Sequence, residues 1–157
     1  MSKFQLKNFF KAAYDLMLVF LQFFIISLHF FQWEFLPQKQ IIQESPFSYF
    51  LGILIIIIAF IIMLVSIKDL GRNLSPFPRP INNSNLVTTG IYRFTRHPMY
   101  YSLIFISIGF FVIKLSIYYL FLTISLALII KFKIALEEKY LMNKFKNYLL
   151  YKNEVKV

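Results

Sequence analysis

A chain of 157 residues is the length of one domain, but 59% of it is hydrophobic and its mean hydropathy is +0.65. Soluble domains average about 45–50% apolar residues, so the sequence points to lipid as its solvent rather than to a thick soluble core. The net charge of +10 suits cytoplasmic loops beside anionic headgroups better than nucleic acid, for which no polar domain carries a basic patch, and the absence of cysteine removes disulfides, thiolate metal sites and cysteine nucleophiles.

A membrane-spanning helix needs about 20 mostly apolar residues. The first such segment runs over 9–31, behind Lys3, Lys7 and Lys11. Its charged start is like that of a signal peptide, but no small-residue cleavage site follows, so it reads as a retained helix. Asp15 and His29 lie near its two ends and are expected at the membrane edges. The second segment, "YFLGILIIIIAFIIMLVSI" over 49–67, has no charge. Pro37 and Pro46 break the chain before it, and Lys68 and Asp69 close it. The stretch 68–98 is the longest polar one. Pro76, Pro78 and Pro80 forbid a helix there and favour an extended, turning loop. Leu86, Val87 and Ile91 bring it back toward apolar surroundings.

Two further apolar segments, 99–113 and 115–130, are separated only by Lys114. Each is a little short of a span. They are expected to form a tight antiparallel hairpin that crosses a thinned bilayer or only enters it. In the tail, 131–157, Ile134, Leu141, Phe145, Tyr148 and Leu149 recur at helical spacing. The tail is therefore expected to be an amphipathic helix, continuing the fourth segment or lying along the membrane surface. The fold class that follows is an all-α integral membrane protein of about four transmembrane helices, one membrane domain over 1–157.

Charge supplies the orientation. The first loop, with Glu34, Lys39 and Glu44, is net −1. The second carries Lys68, Arg72, Arg79, Arg93 and Arg96 against Asp69, and the tail carries seven Lys against three Glu. Positive segments stay in the cytoplasm. Four segments with both termini and the Pro-rich loop inside satisfy every balance. The expected location is a bacterial inner membrane.

This topology brings "YRFTRHP", at the start of the third segment, beside "KIALEEKY", at the end of the fourth. Arg93, Arg96, His97, Tyr100, Glu137 and Glu138 are then expected to line one site at the membrane boundary. Each has an ordinary reading alone: positive-inside anchors, an aromatic belt, a solvated charge pair, with Pro98 suited to a first helical turn. Together they are a functional hypothesis, as ionisable groups at a membrane seam are. Four scattered glycines exclude a Gly-rich phosphate loop. His29 and His97 lie in separate segments, without metal-ligand spacing, and no Ser-His-Asp order stands out. What remains has cations for a carboxylate, and aromatics with a carboxylate for a cation. A zwitterionic cofactor with a sulfonium suits it.

"LVTTGIYRFTRHPMYYS", followed about forty residues later by "EEKYLMNKFKNYLLY", resembles the isoprenylcysteine carboxyl methyltransferase family. That family belongs to a wider group of small membrane methyltransferases including the phosphatidylethanolamine N-methyltransferases. The resemblance covers about residues 70–155. It implies S-adenosylmethionine as methyl donor, held by Leu86, Val87, Tyr92, His97, Pro98, Met99, Tyr100 and Glu137. It implies a substrate-facing basic residue one turn before that Glu, here Lys133 in place of the usual arginine. Arg96 and Glu138 are the catalytic candidates, and no metal is expected. Lys146 stands where the family often has Gly. The implied activity is methyl transfer at the membrane interface to a lipid-like or lipid-linked carboxylate, amine or thiol. Two rival readings are a non-enzymatic membrane subunit and an NADPH-dependent reductase, since sterol reductases are similar in their C-terminal part.

Overall fold

The structure, a computed structural model, describes residues 3–31, 40–41 and 45–155, with the side chains of residues 3, 4, 7 and 8 excepted. Its regular elements among these residues are helices: α1 (Lys3–Leu28), α2 (Pro46–Leu70), α3 (Pro98–Lys114), α4 (Ile117–Lys144) and α5 (Tyr148–Glu154). Single 3₁₀ turns cover Gly71–Asn73 and Gly90–Arg93. Among the described residues three stretches are long and apolar enough to cross a membrane: Phe9–Leu28, Pro46–Asn73 and Ile117–Lys144. The helix α3 has 17 residues, or about 26 Å at 1.5 Å per residue, against a hydrocarbon core of about 30 Å. Pro37 and the acidic balance of Glu34, Lys39 and Glu44 lie outside the described residues.

Local chemistry sets the helix ends. Ser45 and Ser48 form a reciprocal capping box, each hydroxyl accepting from the other's backbone N–H at 3.1 Å, and Pro46 occupies the first turn of α2. Pro98 does the same for α3. Leu115 then turns left-handed, with φ 42°, and Ser116 caps α4 by accepting from Tyr118 N–H at 3.3 Å.

Two boundaries differ from the sequence reading. Helix α1 begins at Lys3, so Lys3, Lys7 and Lys11 lie within it, and it ends at Leu28, short of 31. Past 130 the tail continues α4, the first of the two arrangements expected for it. "KFKIALEEKYLMNK" has neither Gly nor Pro and carries the helix to Lys144. The chain breaks only at Phe145–Asn147, before the separate short helix α5.

Helices α2 and α3 pack through small residues. Ser48, Gly52, Ala59 and Ser66 are buried along α2, and Ser102, Ser107 and Gly109 along α3. At the crossing the backbones touch. A β-carbon on Gly52 would stand 2.7 Å from the Gly109 carbonyl oxygen, and one on Gly109 would stand 2.9 Å from that of Gly52. Close approach through small residues is how helices associate where lipid removes the hydrophobic driving force. A core of Ile25, Tyr100, Tyr119, Leu122, Leu126 and Ile130 joins α1, α3 and α4. The outer faces stay apolar and bare: Phe20, Phe24, Ile57, Ile61 and Phe121 are all exposed. Water does not tolerate a patch of that extent, and a bilayer does.

Asp15 and His29, near the two ends of the first segment, are buried against other helices, 4% and 5% exposed. His29 Nδ1 donates to Ile25 O at 2.9 Å, and its Nε2 lies 2.7 Å from Ser107 Oγ, which lies 2.8 Å from Thr123 Oγ1. This chain of bonds satisfies each polar group it buries. The pairs 107–123 here, and 100–137 and 96–138 at the site, bridge α3 or its entry to α4 across the turn at Leu115.

Candidate functional site

The site forms where the end of α2, the start of α3 and the end of α4 meet. Gly90 fixes how the chain enters it. Its φ is +62°, a region glycine adopts freely. The absent side chain lets Asp69, at the end of α2, reach Ile91 N–H, which donates to its Oδ2 at 2.8 Å. The 3₁₀ turn over Gly90–Arg93 then presents Tyr92 inward, 7% exposed. His97 follows, capping α3, and its ring stacks on Tyr100 at 5.8 Å. Tyr100 donates its hydroxyl to Glu137 Oε2 at 2.7 Å.

A cavity opens among these groups. Its walls include Leu86, Val87, Tyr92, Arg96, His97, Met99, Tyr100 and Glu137, with Tyr148 and Tyr151 of α5 on the covering side. Of the residues assigned to the cofactor from sequence, only Pro98 is absent from the wall. It is buried in the first turn of α3 and supports its neighbours. Glu138, one residue beyond Glu137, faces another way. Its carboxylate takes Arg96 Nε at 2.9 Å and Nη2 at 2.8 Å, Lys152 Nζ at 2.6 Å, and lies 3.5 Å from His97 Nε2. The Arg96 guanidinium also donates to the carbonyl oxygens of Lys152 in α5 and of Val155 just beyond it. Arg96 therefore touches both the cavity and the clamp that holds α5. Lys133 lies outside the wall, one turn deeper on α4. It is 1% exposed, donating to Gln22 Oε1 at 2.5 Å and Pro76 O at 2.9 Å, with its ammonium 5.2 Å from the Tyr100 ring centroid.

The Pro-rich loop is pinned over the cavity from three helices. Arg79 pairs with Asp15 of α1 at 2.9 Å and lies over the Tyr140 ring of α4. Asn85 N–H donates to Asn73 Oδ1 at 3.1 Å, beyond the end of α2. Lys144 of α4 donates to the carbonyls of Ile81 and Asn82 and to Ser84 Oγ. On the other side Tyr151 donates to Tyr92 O at 2.6 Å. Burial raises the hydroxyl pKa of Tyr151 to about 12, and burial together with the Glu137 charge raises that of Tyr92. Both phenols stay neutral, so Tyr151 keeps the proton it donates.

The sequence reading did not include Gln22, Asp15, Tyr148, Tyr151 or Lys152 in the site. The first two lie on α1, more than fifty residues from the motif, and no spacing rule reaches across that distance. The two tyrosines had a signal: their i, i+3 spacing puts both rings on one face of α5. Among the described residues no three His, Cys, Asp or Glu side chains come together as metal ligands.

The inner space of the cavity is about 90 Å³, against about 300–1,000 Å³ for small-molecule sites. Its chemistry nevertheless fits a sulfonium zwitterion. Tyrosine faces and the Glu137 carboxylate suit a cation, and Arg96 at the wall suits a carboxylate. A nucleoside-sized ligand enters only if the loop or α5 moves outward.

Residues 47–148 match the phospholipid methyltransferase family model, and the chain belongs to that family. The match supports the wider group of small membrane methyltransferases and leaves the isoprenylcysteine-specific assignment without support of its own. No curated protein and no solved structure matches the chain.

Proposed function

We propose that this family member is an S-adenosylmethionine-dependent methyltransferase acting at the membrane interface on a lipid-like or lipid-linked carboxylate, amine or thiol. The observation that carries the reading is the convergence of Tyr92, His97, Met99, Tyr100 and Glu137 on one cavity, in a chain whose family transfers methyl groups. That membership favours transfer over the subunit and reductase readings.

When bound, S-adenosylmethionine supplies a methyl group on an electrophilic sulfonium. The chain's own work is orientation, which is worth about 7–11 kcal/mol in well-aligned reactions. Glu137, fixed by Tyr100, holds the cationic end of the donor, and the Tyr92 and Tyr100 faces add about 0.5–2 kcal/mol each. Leu86, Val87 and Met99 pack its apolar parts, while Pro98 sets the first turn of α3. Arg96 and Glu138 act together: the pair clamps α5 over the donor and sets a carboxylate 3.5 Å from His97 Nε2. Lys133, behind Tyr100 and one turn deeper, is assigned to the acceptor headgroup. An acidic acceptor arrives already ionised, whereas an amine or thiol loses a proton, for which His97, assigned first to the donor, is the candidate base.

The topology assigned is four membrane segments, the short α3 forming a hairpin with the longer α4, with both termini and the Pro-rich loop in the cytoplasm of a bacterial inner membrane. The donor then enters from water and the acceptor from the bilayer, between helices near the start of α3. Membranes containing the protein, incubated with methyl-labelled S-adenosylmethionine, test the reading. Label is expected in the lipid fraction, dependent on Glu137. Label confined to small volatile products, or no labelling and no binding by folded protein, overturns it.

A further inference from the structure

A second concave surface lies away from the methyl-transfer cavity, between the first turns of α1 and the last turns of α4. Leu6, Phe10 and Leu136 give it an apolar floor. Tyr14, Tyr140 and Asn143 add hydroxyl and amide groups, and Lys11 and Lys139 supply two cations. The groove measures about 650 Å³, and no carboxylate lines it. Several other cations near this end of the bundle are engaged: Arg79 by Asp15, Arg96 and Lys152 by Glu138, Lys133 by Gln22, Lys144 by loop carbonyls. Lys11 and Lys139 make no hydrogen bond or ion pair with a described residue.

We propose that this groove binds an anionic phospholipid, its phosphate between Lys11 and Lys139 and the upper part of its chains on Leu6, Phe10 and Leu136. Charge and position select the occupant. Two unpaired ammonium groups over an apolar floor complement a molecule that is anionic at one end and hydrocarbon at the other. The groove also sits where the candidate span of α1 begins, at Phe9, which is headgroup depth. Basic pockets between helices at that depth take anionic headgroups. A soluble anion would leave the floor bare, and a neutral lipid would leave the charges uncompensated. The inference does not depend on the methyl-transfer reading, because none of these residues lines the other cavity.

The groove shares one wall with the machinery that pins the loop. Tyr140 faces it, donates to Asp15 Oδ1 at 3.2 Å, and carries Arg79 over its ring at 5.3 Å. A lipid held against Tyr140 therefore buttresses the Asp15–Arg79 anchor and makes the loop harder to lift.

The test is thermal unfolding of the full chain in nanodiscs of phosphatidylcholine alone, or with about 30% phosphatidylglycerol. The expected result is a higher midpoint with phosphatidylglycerol. Lys11→Gln with Lys139→Gln should remove most of that gain. Lys131→Gln with Lys146→Gln, which neutralises as much charge elsewhere, should keep it. An equal loss in both double variants means general surface attraction and overturns the site, as does full retention in the first. A third arm adds millimolar inorganic phosphate to phosphatidylcholine discs. A stabilisation there matching that of the lipid assigns the groove to a soluble anion and overturns the lipid. If the first double variant folds poorly, lipid bound to the wild type is measured by native mass spectrometry. Equal retention of phosphatidylglycerol and phosphatidylcholine then refutes the proposal.

Discussion

Gly90→Ala is expected to damage the site without touching any group in its cavity. Two costs combine at this position. The left-handed backbone, φ +62°, costs a residue with a β-carbon about 1–2 kcal/mol. The new methyl group would also overlap the Asp69 carboxylate, which must swing away and release Ile91 N–H. A hydrogen bond to a charged group contributes about 1.5–3 kcal/mol, so the total is about 2.5–5 kcal/mol. Asp69→Ala alone loses only the hydrogen bond, about 1.5–3 kcal/mol. The double variant has no carboxylate to collide with and the same single bond lost, so it should cost about as much as Gly90→Ala. The singles then exceed the double by the shared bond, a coupling of about 1.5–3 kcal/mol. Equilibrium unfolding in mixed micelles, with thermal midpoints as a second reading, measures the cycle. Additive losses, with coupling below about 0.5 kcal/mol, would refute the view that Gly90 is glycine because Asp69 needs its space.

Other substitutions separate packing from chemistry. Glu137→Gln and His97→Ala should each abolish methyl transfer while leaving expression and membrane insertion near normal; activity close to wild type in either variant removes that residue from the site. Gly109→Leu drives a side chain into the Gly52 backbone and should destabilise the bundle by about 1–3 kcal/mol or more, read as a lower thermal midpoint. Shortening the hydrocarbon of an identified acceptor should raise its KM by up to about 0.8 kcal/mol per lost buried CH₂. A flat series points to a small soluble acceptor.

The helices were legible because lipid demands long apolar runs, and the segment over 49–67 could hardly be anything else. The motif was legible for a related reason. Gly90, Pro98 and the stacked His97 and Tyr100 are local devices whose signal lies in adjacent positions. What holds Asp15 and His29 was not legible, because each is buried against a partner in another segment. Those partners, Arg79 and Ser107, lie 64 and 78 residues away. Hydropathy falls at 130 but helix propensity does not, and of the two arrangements expected for the tail the continuation of the fourth segment is the one found. Composition marks where the lipid ends, and Phe145–Asn147 marks where the helix ends.

The small volume of the cavity decides how the site must work. At about 90 Å³ inside it is too small for a nucleoside-sized donor, so one cover has to move for the donor to seat. The Pro-rich loop is fastened to α1, the end of α2 and α4, whereas α5 hangs on a three-residue connection. It is held by the Arg96–Glu138–Lys152 cluster and by Tyr151 on the Tyr92 carbonyl. Its outer face, Leu149 and Leu150, is exposed and suits the membrane surface on which it would rest when raised. The helix α5 is therefore the cover expected to move. Lys152→Met removes one strut, the 2.6 Å pair with Glu138, and leaves the cavity wall intact. A partly exposed pair contributes about 0–1 kcal/mol, so opening should become up to about fivefold more frequent. Because the free and the loaded protein open alike, association and dissociation of S-adenosylhomocysteine should both speed up, with Kd changing less than either rate. Stopped-flow binding measures all three. Rates unchanged from wild type, beside an equivalent gain when Arg79→Met frees the loop, would assign the moving cover to the loop instead.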